Sequence, residues 1–139
     1  MKFELARYIV FLAMSNKPKL EALKLYIMGL SKSEAARRAG ISVGSLEGVL
    51  NKVREYGLRP WNCDEVRRFI EIVEREVNEA FESNRDGKKV VCRICGAIIE
   101  NDPRIRSMHL LSHMKTVEKI ALRLLEASRC RSTPSHLPR

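Results

Sequence analysis

The chain has 139 residues, of which 45% are apolar and 31% charged, enough for one ordinary domain or two small ones. Its longest apolar run, Tyr8 to Met14, is too short to cross a membrane, so we expect no membrane-spanning protein. Four cysteines, two of them in a C-x-x-C pair, favour a reducing compartment such as the cytoplasm over a disulfide framework. A signal peptide in the first 15 residues is the alternative, which Glu4 and the short apolar stretch disfavour.

The net charge of +9 is unevenly distributed along the chain. Residues 1–61 have 11 basic and 5 acidic side chains, a net +6, and residues 62–84 have 3 and 7, a net −4. Residues 85–139 have 12 and 5, a net +7. Two basic segments joined by an acidic one indicate a protein that binds a polyanion and keeps its connector away from it. A merely soluble basic surface is the alternative.

Helical periodicity dominates the first part of the chain. Apolar residues at helical spacing predict a first helix over residues 3–15. Pro18 disfavours helix at the residue before it and suits a new helix start. We therefore expect a second helix over residues 19–28.

Two serines then mark helix starts. The pair Ser31-x-x-Glu34 is a capping box, in which each side chain can bond the other residue's free amide, and it predicts a short third helix. Gly40 suits the left-handed turn that ends this helix. Ser42 is expected to cap a fourth helix, which ends near residue 56.

This stretch resembles the helix-turn-helix of bacterial and archaeal DNA-binding proteins, over roughly residues 20–56. Ala36 stands where that family needs a small residue for two helices to cross, and Gly40 matches its turn glycine. The matching buried positions are Ile41, Leu46 and Val49. The resemblance implies binding of double-stranded DNA through the helix that begins after Ser42. A plain helical bundle with an Ala-Gly turn is the alternative.

The same resemblance indicates which residues contact DNA. Base contacts are expected from the polar residues of the fourth helix, and phosphate contacts from the cations near it. The predicted DNA-binding set is Arg37, Arg38, Ser42, Val43, Ser45, Asn51, Lys52 and Arg54. Gly44, Glu47 and Gly48 depart from the family, whose recognition helix usually carries long polar side chains. The two glycines would let either a DNA backbone or a partner helix approach closely.

The connecting segment reads as a turn followed by a long helix. Residues 57–61 form the turn, and Asn62 is expected to cap a helix that ends near Ser83. One side of this helix is apolar, and the other holds most of the acidic residues. The apolar stripe consists of Val66, Phe69, Ile70, Val73, Val77, Ala80 and Phe81.

Four residues downstream have the spacing of a metal site. Cys92, Cys95, His109 and His113 read C-x2-C-x13-H-x3-H. A short turn brings two thiolates to one ion, and histidines four apart lie on one face of a helix. Soft sulfur and imidazole nitrogen in a closed set of four favour zinc and leave no position for a reactive water. The pattern therefore predicts one structural zinc ion per chain; a reduced cysteine pair beside unrelated histidines is the alternative.

This segment resembles a two-cysteine, two-histidine zinc finger over residues 88–115, with two short strands and a helix. Side chains one, four and seven residues before the first histidine usually read bases in such fingers; here they are Met108, Ile105 and Asp102. Arg106 replaces the family's core leucine, and Ile105 is the residue expected to fill that gap. This apolar composition favours a finger that braces the long helices or contacts a second subunit. A second DNA-reading element is the alternative.

The helix of the finger is expected to continue without a break to about residue 127, because its apolar stripe continues past His113. This helix and the acidic one each present a stripe with no assigned partner. They can pack on each other or on a second copy of the chain, and a two-fold dimer suits helix-turn-helix recognition of DNA half-sites. A single monomeric core is the alternative.

Together these predictions give a mainly α fold: an N-terminal helix-turn-helix bundle, a long connecting helix and a C-terminal ββα zinc finger with an extended helix. The expected domains are residues 1–61, the acidic connector 62–84, the finger 85–128 and a flexible tail 129–139. Such a chain looks like small transcription regulators of archaea and of their viruses or plasmids.

The sequence favours a sequence-specific, dimeric DNA-binding regulator without enzymatic activity or a small-molecule substrate. Three features of the sequence disfavour catalysis. The predicted zinc site is closed, the chain has only three aspartates, and it lacks a glycine-rich phosphate loop. The alternatives are the DNA-recognition subunit of a recombinase or transposase, and an interaction adaptor that docks a partner helix on Gly44 and Gly48.

Overall fold

The fold is mainly helical, with one small antiparallel sheet. The computed structural model describes residues 3–56 and 63–136, and side chains up to residue 128. The helices are α1 (Phe3–Ser15), α2 (Lys17–Ile27), α3 (Lys32–Ala39), α4 (Val43–Glu55), α5 (Cys63–Asn78), α6 (Pro103–Leu111) and α7 (Met114–His136). The strands are β1 (Phe81–Ser83), β2 (Lys89–Cys92) and β3 (Ile98–Glu100). Among these helices none is long and apolar enough to cross a membrane.

Side-chain caps define the first helices much as the sequence predicts. The Asn16 side chain accepts a hydrogen bond from the Lys19 amide at the start of α2, which begins two residues earlier than expected. Ser31 and Ser42 cap α3 and α4 in the same way, each from an extended conformation. Gly40 ends α3 in the left-handed conformation, with φ 76° and ψ 28°. The turn predicted at residues 57–61 and the cap predicted at 62 lie outside the described residues.

Helices α2, α3 and α4 form a three-helix unit in which each contacts the other two. Its interior is made by fully buried aliphatic side chains of α2 and α4 and by Ala36, which α3 presents at the crossing. The largest of these aliphatic side chains are Leu20, Leu23, Leu46, Val49 and Val53. This arrangement confirms the helix-turn-helix geometry expected from residues 20–56.

The long helices pack within the chain. Helix α5 contacts α1, α2 and α7, and α7 contacts α1 and α5. Their apolar stripes join the same buried cluster as the three-helix unit, with Phe69 and Ala121 fully buried and Leu125 only 3% exposed. Of the two expected arrangements, packing of the two stripes on each other is therefore the one present in the chain. Because α1 covers both of them, they provide no argument for a second subunit.

The sheet has three strands where the sequence predicted two. Helix α5 ends at Asn78, and β1 takes the place of its predicted last turn. The strand order is β1-β2-β3, both pairs antiparallel, with Phe81 opposite Cys92 and Val90 opposite Ile99. The position of Phe81 in the sequence is compatible with either a helix or a strand. The strand forms because its backbone hydrogen bonds pair groups of β2 that would otherwise lack partners.

The helix of the finger is interrupted at the second histidine. The amides of Ser112 and His113 bond carbonyls three residues back, on His109 and Leu110, and the Ser112 hydroxyl also donates to the His109 carbonyl. These tighter bonds end α6 at Leu111, so the prediction of one unbroken helix is wrong. The second part, α7, is helical to His136, beyond the predicted end near residue 127.

Candidate nucleic-acid interface and metal centre

Helix α4 presents one uncovered face to solvent. Leu46, Val49, Leu50 and Val53 point into the core. The exposed residues lie on the other sides of the helix, and they are Val43, Gly44, Glu47, Gly48, Asn51, Lys52, Arg54 and Glu55. Val43 is 38% exposed. The face combines small, polar and charged residues.

Ser42 and Ser45 are engaged with each other at the start of α4. The Ser42 oxygen accepts a hydrogen bond from the Ser45 amide at 3.0 Å, and its hydroxyl donates to the Ser45 oxygen at 3.0 Å. Ser42 is exposed and Ser45 half-buried. Both predicted contacts are thus at the surface, and Ser42 also has the capping role that the sequence indicated.

The last turns of α4 bring Asn51 and two cations together. The Arg54 guanidinium donates to the Asn51 side-chain oxygen at 3.3 Å, so the Asn51 amide group keeps both of its N–H donors for a ligand. Lys52 is exposed, and within the described part of the chain it has no ion-pair partner. These three residues therefore form a polar, basic end to the exposed face.

Arg37 and Arg38 share one carboxylate. Glu34 accepts hydrogen bonds from both guanidinium groups, with Arg38 Nε 2.9 Å and Arg37 Nε 3.1 Å from its oxygens. The pKa of the Glu34 carboxyl is lowered, first by the bond from Arg37 and then by that from Arg38, and the same contact raises the pKa of Arg37. Only half of the predicted capping box is present. The Ser31 hydroxyl oxygen accepts a hydrogen bond from the Glu34 amide, but the Glu34 carboxylate accepts from the two arginines instead of from the Ser31 amide. Sequence reasoning missed this role for Glu34, although its spacing from both arginines was visible.

The two glycines of α4 are not required by the packing of the chain. A β-carbon built on Gly48 meets nothing within 4 Å, and one on Gly44 meets only the Ser42 oxygen at 3.9 Å. Neither residue has a positive φ. Glycine inside a helix costs about 0.5–1 kcal/mol relative to alanine. The fold itself therefore provides no reason for glycine at either position.

The four predicted metal ligands lie together at one point of the finger. Their ligand atoms are all within 4.8 Å of one another. Cys95 Sγ lies 3.3 Å from His109 Nε2, which in turn lies 3.2 Å from His113 Nε2. Zinc–nitrogen bonds of about 2.0–2.1 Å at tetrahedral angles would place two nitrogens about 3.3–3.4 Å apart. The distance between the two histidine nitrogens matches this value, and the four donor atoms lie close enough together to hold a metal ion.

Local structure explains how the chain brings these ligands together. Cys92 ends β2, and a tight turn closes with a 2.7 Å bond from the Gly96 amide to the Cys92 carbonyl. Gly96 has a φ of 80°, which favours glycine in this turn. His109 lies in the last turn of α6, and His113 follows the break before α7. Cys92 is buried, whereas Cys95 is exposed.

Helix α6 exposes two apolar side chains that the sequence analysis placed at base-reading positions. Met108 is 73% exposed and Ile105 41% exposed, whereas Asp102 is used to cap the helix, accepting from the Arg104 and Ile105 amides. The prediction that Ile105 fills the space of the missing core leucine is wrong. It points outward because Leu110, 4% exposed, takes the inward position of α6 in the main cluster.

Comparison with known families adds one match. The family model of a helix-turn-helix domain matches residues 19–60. No curated protein and no solved structure matches the chain. This match does not concern the source of the chain, so the likeness to archaeal, viral or plasmid regulators stays a prediction. Residues 19–60 are a helix-turn-helix domain by this match, which indicates DNA binding, and Cys92, Cys95, His109 and His113 form a group that could hold a metal ion.

Proposed function

We propose that this protein is a sequence-specific regulator that binds double-stranded DNA through α4. The observation that carries the proposal is the uncovered face of α4 within a three-helix unit that matches the helix-turn-helix domain. A helix of this kind enters the major groove and reads base edges there. We assign no catalytic residue to the chain.

The glycines of α4 support close contact with a large partner. Gly44 and Gly48 lie one turn apart on the exposed face, and neither is needed for packing inside the chain. Each costs the free protein helix stability. A groove that admits the helix backbone closely would offset this cost, since a β-carbon on either residue would point into the partner.

Cations on both sides of this face supply phosphate contacts. Arg37 and Arg38 lie in the last turn of α3, and Lys52 and Arg54 in the last turn of α4. Asn51 lies beside Lys52 and Arg54 on the exposed face, where an amide can pair with adenine. Ser42, Val43 and Ser45 occupy the start of α4, the part of a recognition helix that contacts base edges in this fold.

A structural zinc ion is the second part of the proposal. When bound, zinc would hold Cys92, Cys95, His109 and His113 in a closed set and stabilise the small sheet against α6. Within the sheet itself Val90 and Cys92 are buried outside the main hydrophobic cluster, which this part of the chain joins through Leu110, Phe81 and Ile94.

The finger is proposed to brace the fold and not to read DNA. Leu110 of α6 packs into the main cluster, and α6 contacts α1. The outward positions that read bases in other fingers carry Ile105 and Met108, which offer no hydrogen bond to a base edge. We also propose a homodimer, because helix-turn-helix proteins commonly bind two DNA half-sites related by a two-fold axis. A cytoplasmic location is proposed from the cysteine content, which favours a reducing compartment.

Selection of bound duplexes from a random pool tests this function. A regulator should enrich one short sequence, and a two-fold repeat within it would support two copies on the DNA. Binding of the selected duplex should weaken steeply with salt, as phosphate contacts require. Failure to bind any duplex would favour a protein-interaction adaptor. Strand cleavage or joining with a companion protein would instead indicate the recognition subunit of a recombinase or transposase.

A further inference from the structure

An open groove of about 690 Å³ lies where the α1–α2 turn and the end of α5 meet the first two strands and α6. Its apolar lining residues form a floor that water barely reaches, since Val77, Val90 and Leu110 are each at most 5% exposed. The surface that the groove presents to solvent is therefore mainly polar. The polar residues that border it are Ser15, Asn16, Lys17, Asn78, Ser83, Arg106 and Ser107.

The border of this groove carries positive charge and no negative charge. Lys17 and Arg106 are its two cations, and no carboxylate lines it. The Lys17 ammonium group donates to the Asn78 side-chain oxygen at 3.2 Å, a neutral acceptor that leaves the charge uncompensated. Among the described residues neither cation forms an ion pair. A groove with this charge attracts anions.

Arg106 lies in the groove without an acceptor. The residue is half-buried, its Nε atom is buried, and no group in the described part of the chain accepts a hydrogen bond from that atom. An arginine keeps its charge in proteins, so a buried N–H without an acceptor is costly. The zinc fingers that this segment resembles have leucine here, a residue that needs no partner. An anion in the groove would supply the missing acceptor.

The neutral polar groups of the groove also offer donors. The Asn78 oxygen accepts from Lys17, and the Asn16 oxygen caps the first turn of α2. The side-chain amides of both asparagines therefore keep N–H donors for a ligand. Ser83 and Ser107 add hydroxyl groups that can donate as well. Several donors around two cations suit an anion that has several acceptor oxygens.

We propose that this groove binds a phosphate group. A phosphate brings a charge of about −1.5 to −2 and three strong acceptor oxygens. Arginine matches its geometry with two parallel hydrogen bonds, so Arg106 forms the anchoring contact and Lys17 adds a second positive charge. A carboxylate offers only two oxygens to the same donors and therefore binds less tightly.

The phosphate can belong to a small hydrophilic molecule or to the DNA backbone, and the position of the groove favours the small molecule. None of the residues proposed to contact DNA lines the groove, and neither α3 nor α4 borders it. A bound phosphate would lie between the α1–α2 turn and α6, so it would also fasten the finger to the helical part of the chain. The site is separate from the proposed contacts of α4, so failure of one proposal does not decide the other.

Titration of the full chain, purified without chelator, with inorganic phosphate tests the proposal by NMR. Phosphate should move the amide resonances of Asn78, Ser83 and Ser107 at low millimolar concentration, and leave those of α4 unchanged. Sodium chloride at matched ionic strength and sodium acetate are the controls. Each should act on these resonances at least about tenfold more weakly than phosphate.

Two arginine variants separate the site from a general effect of charge. Arg106→Leu should lose at least about tenfold in phosphate affinity. Arg104→Leu removes an exposed arginine of the same helix and should bind phosphate like the unmodified chain. On a random duplex the two variants should show the same dependence of DNA affinity on salt. A salt slope lower by about one unit for Arg106→Leu alone would keep the site but identify the bound phosphate as part of the DNA backbone.

Three results would overturn the proposal. They are no response to phosphate at tens of millimolar, an equal response to chloride at matched ionic strength, and unchanged phosphate binding by Arg106→Leu. The first two are measured on the unmodified protein, so they do not depend on a variant that folds.

Discussion

Arg7 on α1 and Glu118 on α7 form an ion pair that joins two distant parts of the chain, with 3.4 Å between Arg7 Nε and Glu118 Oε2. The Glu118 side chain is 5% exposed and that of Arg7 is 55% exposed. The other Glu118 oxygen is buried without a hydrogen-bond partner in the structure. Since α1 also packs on α5, this contact ties the end of the chain to the side that carries the helix-turn-helix.

The pair predicts unequal effects for its two partners. Arg7→Ala should destabilise the protein by about 1–3 kcal/mol, because it leaves a buried carboxylate without a counter-ion, and the exposure of Arg7 reduces the loss. Glu118→Met should change the stability by less than about 1 kcal/mol, since it removes the buried charge and keeps the volume. Urea unfolding measures both. An equal loss in the two variants would contradict this account.

Combining the two substitutions provides the control. In the Arg7→Ala, Glu118→Met double variant most of the loss from Arg7→Ala should disappear, because no buried charge remains. Additive losses would mean that Arg7 contributes through packing and not through its charge.

Metal removal should loosen the finger and leave the rest folded. Cys92→Ser should abolish stoichiometric zinc and expose the amides of residues 89–111 to hydrogen exchange. The amides of α1, α3, α4 and α5 should stay protected, because their buried side chains lie in the main cluster. The control is Cys63→Ser, a cysteine outside the group of four, which should retain zinc. Protein purified without chelator that lacks stoichiometric zinc would reject the metal site.

Gly48→Ala should separate stability from binding. Alanine at this open position should stabilise α4 by about 0.5–1 kcal/mol, because it reduces the freedom of the unfolded chain and strains nothing in the fold. The same methyl group should weaken binding to a selected duplex by about tenfold or more, if the groove approaches the backbone there. Thermal unfolding and fluorescence anisotropy measure the two effects. Stabilisation without any loss of DNA affinity would show that DNA does not approach α4 at Gly48.

Glu34→Gln should strengthen DNA binding without regard to sequence. The substitution removes the carboxylate that Arg37 and Arg38 share, so both cations become available to phosphates. Affinity should rise several-fold on selected and random duplexes alike, with a steeper dependence on salt. Glu71→Gln makes the same change in net charge on α5, where Glu71 pairs with Arg67, and should have a smaller effect. Equal effects of the two would indicate a general charge effect.

Arg37→Ala and Arg38→Ala test the same cations by removing them. Each should weaken binding to selected and random DNA to a similar extent and lower the salt slope by about one unit. Lys119→Ala, an exposed lysine on α7, is the control and should leave the slope unchanged. A slope that falls only for Lys119→Ala would place the phosphate contacts on α7.

Local signals in the sequence predicted much of this molecule. The ends of α1 and α3, the serine caps and the left-handed Gly40 follow from neighbouring residues, and the spacing of cysteines and histidines brought the four ligands together. The error at β1 concerns a tertiary contact, whereas the break after α6 depends on local hydrogen bonds of Ser112 and His113. Periodicity could not distinguish a last helical turn from β1 at Phe81, because only pairing with β2 decides it. Nor could it show that α1 covers the stripes of α5 and α7.

The central claim is that α4, and not the finger, reads the DNA sequence. The most direct test compares Asn51→Ala with Met108→Ala on a selected duplex and on random DNA. We predict that Asn51→Ala costs about 1–3 kcal/mol, roughly 5- to 150-fold, on the selected duplex and little on random DNA. Met108→Ala should leave the sequence preference unchanged. A changed preference with Met108→Ala, together with an unchanged one for Asn51→Ala and Ser45→Ala, would contradict the account and assign the reading of bases to the finger.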